Sequence, residues 1–299
     1  MYDSPWDFLK QLYYIIETRL PVILNFRMPS DKRTGGSEGH AVALTGHSFN
    51  KHNWWSHALE GYFQSTKLEY LSSHLWCDNF VVQDDNFGPH YLLPVRFITD
   101  VMAAKDLLTT LKKTFINLSI GFNRHWLEGP MYGVVAFPTG MDYVSDAPIV
   151  EPWALFSLQS ILKTLSITEA SGTALFSSYF YKYYKKDQLI LRTFLTTKER
   201  YLKSNLVSMS VRKILEEWLP DIIWMTEISI PELFWVNRKK VGEIVTDPEA
   251  FRKNNEDGVR FIRIPEHVFF TMGDDVLPIR NSRARISHPL SEVVSPFKF

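Results

Sequence analysis

Two short apolar runs on either side of a polar gap constrain this chain most. Pro21-Val22-Ile23-Leu24-Asn25-Phe26 is rich in β-branched residues, which favour a buried strand. Gly39-His40-Ala41-Val42-Ala43-Leu44-Thr45-Gly46-His47 has the same character and predicts a second strand. The interval from Asp31 to Gly39 is polar and glycine-rich and reads as a loop. Ahead of both, Ser4-Pro5-Trp6-Asp7 has the marks of a helix start: Ser4 can cap, Pro5 suits the first helical position, and Asp7 meets the free amides. Phe8, Leu9, Leu12, Tyr13, Ile15 and Ile16 then recur at helical spacing, predicting a helix to about Arg19. Downstream, Phe80-Val81-Val82-Gln83 predicts a third strand, stopped by the turn signal Asp84-Asp85-Asn86-Phe87-Gly88-Pro89. Tyr91 to Ile98 continues as a fourth strand, and a helix follows at about 100–114.

This order puts a histidine at the head of one strand and an aspartate at the end of a later one. Such a pair has a chemical use. An imidazole can take a proton from a nucleophile and return it to a leaving amine. A carboxylate on its other nitrogen fixes the tautomer. Gly39 lets another backbone approach beside the ring. At these residues, "RLPVILNF…EGHAVALTGHSF…NFVVQDDNFGPH" resembles the second half of the papain-like, C39-type cysteine peptidases. The resemblance covers residues 5–98 and rests on short motifs in a fixed order. It implies an α+β, papain-like half-barrel sheet domain over 1–120, followed by a mixed α/β domain of unknown role over 121–299. By position, His40 matches the family's catalytic histidine and Asp84 the aspartate that orients it. Asp85 stands where the family often has proline, which leaves open which aspartate faces His40.

The family's nucleophile is a cysteine at the start of a helix upstream of the histidine, where the helix dipole favours a thiolate. No cysteine precedes His40, and the glutamine that would help form an oxyanion hole is also missing. The single cysteine, Cys77, stands before a predicted strand rather than at a helix start. Three readings follow: a peptidase whose nucleophile lies in sequence outside this chain, a degenerate relative that binds peptides or proteins, or a permuted site using Cys77. The leading function is a cysteine-peptidase-like hydrolase of peptide or amide bonds, with His40 as general base and acid. The runner-up is a non-catalytic papain-fold protein that uses the old cleft for a peptide or protein partner.

Composition narrows the classes. Lys+Arg and Asp+Glu are equal at 33 each, so no global field favours nucleic acid. A single cysteine allows no intrachain disulfide, and neither a signal peptide nor a membrane-length apolar run is present. A cytoplasmic chain without membrane or nucleic-acid partners is expected. Six of the nine histidines (His40, His47, His52, His57, His74 and His90) lie between 40 and 90. With Asp84 and Asp85 they raise a zinc or iron site as a distant third reading. No His-x-x-x-His or paired-cysteine spacing occurs, so no metal or cofactor is expected. The aromatic cluster of Trp54, Trp55, Tyr62, Phe63, Tyr70 and Trp76 reads as core packing, with a substrate groove as the sharper alternative.

Beyond residue 130, strands are predicted at 133–137, 189–194, 222–230, 241–245 and 261–264, with helices at 152–165 and 203–218. Arg192, Arg200, Glu227, Glu243, Asp247, Arg260 and Arg263 fall at or beside these strands and are expected to pair with one another. Glu227 sits inside the apolar strand around Met225-Thr226-Glu227-Ile228 and would need an arginine partner if buried.

Overall fold

A computed structural model describes residues 5–27, 39–49, 70–85, 88–95, 132–135, 141–164, 175–204, 209–231, 233–234, 239–253, 258–265, 267–272, 275–280 and 288–289. The architecture is mixed α+β with two main sheets. The helix expected at 100–114 and the residues Trp54, Trp55, His52, His57, Tyr62 and Phe63 lie outside the described residues.

The chain divides into two compact units. The first contains helix α1 (Pro5–Glu17) and strands β1 (Val22–Arg27), β2 (Gly39–Phe49), β4 (Cys77–Asp84), β5 (Gly88–Pro94) and β6 (Tyr132–Val134). β6 pairs antiparallel with β1 and so completes the first sheet, while the short strand β3 (Leu71–Ser72) and a 3₁₀ turn (Ser73–Trp76) belong to the second unit.

In the first unit, α1 buries Phe8, Leu9, Leu12, Tyr13, Ile15 and Ile16, the residues whose spacing predicted it. It ends in a Schellman turn. The Leu20 amide donates to the Ile15 carbonyl and the Arg19 amide to Ile16, with Arg19 in the left-handed region at φ 66°. The sheet order is β5-β4-β2-β1-β6. Val22, Leu24, Val42, Leu44, Phe80 and Val82 are buried on one face, whereas Ile23, one residue out of phase, is half exposed. Leu12 packs on that face: a Cβ added to Gly133 would meet both Val22 and Leu12.

The second unit is built on the sheet β13-β12-β11-β10-β8-β7-β3, with only the β3–β7 pair parallel. Its strands are β7 (Ile190–Thr197), β8 (Ile222–Ser229), β10 (Gly242–Thr246), β11 (Val259–Ile264), β12 (His267–Met272) and β13 (Asp275–Arg280), with a small ribbon of β9 (Lys239–Lys240) and β14 (His288–Pro289). Alternation sends Leu191, Ile228, Ile244 and Ile262 to one face. There they pack with α2 (Ala147–Thr164) and α3 (Leu175–Tyr184). Phe194, Met225, Val245 and Phe261 face the other way, against α4 (Lys198–Ser204) and α5 (Met209–Trp218). Helix α2 begins five residues before the expected Pro152, because a 3₁₀ turn at Asp142–Asp146 leads into it. Pro152 is therefore inside the helix. Tyr70 and Trp76 are core residues here, Trp76 lying 5.5 Å from the Phe234 ring.

A row of charge crosses this sheet. Arg192, Glu227, Glu243 and Arg263 stand opposite one another on β7, β8, β10 and β11. Arg192 Nη1 donates to Glu227 at 2.9 Å, and Arg263 Nε donates to Glu243 at 3.0 Å. Lys240 Nζ joins the two carboxylates, at 3.1 Å from Glu227 and 2.6 Å from Glu243. Tyr201 completes the set by donating its hydroxyl to Glu243. The expected arginine for Glu227 is therefore Arg192. At the sheet's margin, Arg260 pairs with Asp247 as expected.

Candidate active site

The site forms at one end of the first unit's sheet. His40 is the second residue of β2 and pairs in register with Phe26 of β1. On its other side β2 pairs with β4, with Ala43 opposite Gln83. Period-two alternation puts His40 on the face of Val42 and Leu44, and Asp84 on the face of Phe80 and Val82. The two side chains therefore meet where the buried apolar face ends. Nε2 of His40 lies 3.0 Å from Oδ2 of Asp84. Both side chains are nearly buried, at 11% and 5% exposure, so their contact is shielded from bulk water.

Asp84 is thus the aspartate that faces His40, and Asp85 is exposed. The β4–β5 pairing is irregular here, with three steps on β5 from Tyr91 to Gly88 against two on β4 from Val82 to Asp84, so the extra residue lies on β5. In a regular strand Asp84 and Asp85 would point to opposite faces. Here a carboxylate oxygen of each and a His40 ring nitrogen lie within 4.8 Å of one another. Asp85 lies just past the end of β4, in the turn, so strand alternation does not govern where its carboxylate points.

The other histidines serve different ends. His47 is fully buried, with Nε2 2.7 Å from Glu17 at the end of α1, and the rings of Tyr13 and Phe49 beside it. Nothing in the spacing pointed to Glu17 as its partner. His74 is buried against Ser72, and His90 is exposed beside Gln83. The histidine-rich segment therefore does not converge on one centre among the described residues.

Cys77 opens β4 and Asp84 closes it. Seven residue steps along a strand span about 23 Å, which puts the thiol out of reach of His40. Its environment is equally unfavourable to a nucleophile. Cys77 is 2% exposed, and burial, followed by the negative charges of Asp78 and Glu17, pushes its thiol well above the usual range. A permuted site built on Cys77 is excluded.

Comparison with protein-family models, with curated proteins and with solved structures finds no match to this chain. No helix among the described residues is long and apolar enough to cross a membrane.

Proposed function

We propose that the first unit is the acid–base half of a papain-like, C39-type hydrolase acting on peptide or amide bonds. The observation that carries this reading is the 3.0 Å contact between His40 Nε2 and Asp84 Oδ2, at the end of two adjacent strands. With Nε2 held by the carboxylate, proton transfer falls to Nδ1. The imidazole takes the nucleophile's proton there, and Asp84 stabilises the imidazolium that forms. Support also comes from the order of helix, strand, histidine-bearing strand and aspartate-ended strand, all in one antiparallel sheet.

The thiol such chemistry requires is not Cys77, and the 299 residues hold no other cysteine. The nucleophile would come from a polypeptide segment beyond these residues. The same fact favours the second reading, a peptide- or protein-binding unit in which the pair is inherited and idle.

The test is labelling with a thiol-directed electrophile carrying a reporter, applied to the protein recovered from its own cells with its bound partners. The catalytic reading expects labelling of a cysteine other than Cys77, lost in His40→Ala. No such labelling, together with retention of peptides that Asp84→Asn does not alter, would leave the binding reading in its place.

A further inference from the structure

We propose that His40, Asp84 and Asp85 form a binding site for a first-row divalent cation such as zinc. The site extends beyond the acid–base reading, since a metal would take up the nitrogen that Asp84 engages there. One donor atom from each of the three side chains lies within 4.8 Å of the others, and His40 and Asp84 approach to 3.0 Å through Nε2 and Oδ2. Metal–ligand bonds of about 2.1 Å put neighbouring donors about 3.0–3.4 Å apart and opposite ones about 4.2 Å apart. At separations of up to 4.8 Å the three donors stand wider than one face of a coordination sphere, so the site would contract on a cation as it binds.

The arrangement is also preorganised. Asp84 is 8% exposed and His40 is held on the sheet by its pairing with Phe26, so two donors have fixed positions. Asp85 is exposed and completes the set from the solvent side, which leaves coordination positions for water or a substrate oxygen. One imidazole with two carboxylates carries a formal charge of about −2 when the ring is neutral. That donor set suits Zn²⁺, Mn²⁺, Fe²⁺ or Co²⁺, whereas Mg²⁺ and Ca²⁺ prefer all-oxygen sites. A bound cation would exclude a proton from Nε2, so metal and acid–base work would compete for the same imidazole.

Titration of the whole chain with Co²⁺, followed by its visible absorption, and with Zn²⁺ by calorimetry tests the site. One equivalent is expected to bind, Asp85→Asn to weaken binding by at least about tenfold, and His40→Ala to abolish it. Asp85 is exposed, so its substitution should leave thermal unfolding unchanged and report on binding alone. Excess Mg²⁺ should not displace the cobalt. The proposal is overturned if neither metal binds, or if Asp85→Asn binds as tightly as the parent chain. The readout is metal binding rather than turnover, so failure here is distinct from failure of the acid–base reading.

Discussion

Cys77 and Asp84 are the first and last residues of one strand, so the chain's single thiol and the carboxylate that holds His40 are separated by the full length of β4. Their separation removes Cys77 from any chemistry at His40, and its burial makes it inert as well. The thiol is therefore expected to resist a disulfide reagent such as Ellman's at pH 8 for as long as the protein stays folded, and to react at once in denaturant. Rapid stoichiometric reaction of the native protein would contradict the placement of Cys77.

The carboxylate of Asp84 selects one tautomer of His40 by accepting a hydrogen bond at Nε2. Asp84→Asn keeps the shape and removes the charge. We expect ¹⁵N chemical shifts of the His40 ring to show a move away from the Nε2-protonated form. In any hydrolytic assay the rate should fall by about 10³–10⁴-fold. Unaltered ring shifts would mean that Asp84 does not set the tautomer.

The row of Arg192, Glu227, Glu243 and Arg263 is a set of buried charges paired with one another, with Lys240 bridging the two carboxylates as a third cation. Removing one member strands its partner in a dry interior. Glu227→Ala should therefore destabilise the chain by about 3–5 kcal/mol in urea unfolding. Arg192→Leu with Glu227→Leu should cost much less than the two single losses added together. Additive effects would show that the two residues act independently.

The same row makes the fold acid-sensitive. Burial alone would raise the Glu243 carboxyl, but Arg263 and Lys240 outweigh it and hold the group at about 2, against an ordinary value of 4.5. Between these values the unfolded chain binds the proton and the folded chain does not. The stability Glu243 confers is therefore complete above pH 4.5 and lost as pH falls towards 2. Melting temperatures should fall steadily as pH drops below about 4.5. A melting temperature that stays constant over that range would refute this account.

Gly242 precedes Glu243 and runs close to β11. A Cβ there would lie 2.6 Å from the backbone oxygen of Arg263, and a backbone atom cannot swing aside as a flexible side chain does. Gly242→Ala is expected to cost about 1–3 kcal/mol of stability. Chemical denaturation measures it directly, and a neutral result would show that β10 and β11 can separate without penalty.

Much of this was legible in the chain itself. Helix α1 followed from the spacing of Phe8, Leu12 and Ile16, and β1 and β2 from their short β-branched runs. Glu227 announced a partner because a carboxylate within an apolar strand must be compensated. Other elements were not legible. β12 and β13 carry turn residues close on both sides and gain definition only by pairing in the sheet, and α2 starts ahead of a proline that marked the expected start. Local propensity is weak enough that tertiary packing overrides it at such places.

By itself the sequence determined that an imidazole lies near the head of β2, and that one carboxylate ends β4 and a second follows it into the turn, since strand phase and turn chemistry are local properties. It could not choose between Asp84 and Asp85, nor weigh Cys77, because those questions concern which atoms meet across strands. Tertiary structure decided them. The pairing of β2 with β4 brings that carboxylate to His40, and the length of the same strand carries Cys77 away. A side chain's phase is set by its neighbours in the chain, but its partner is set by register.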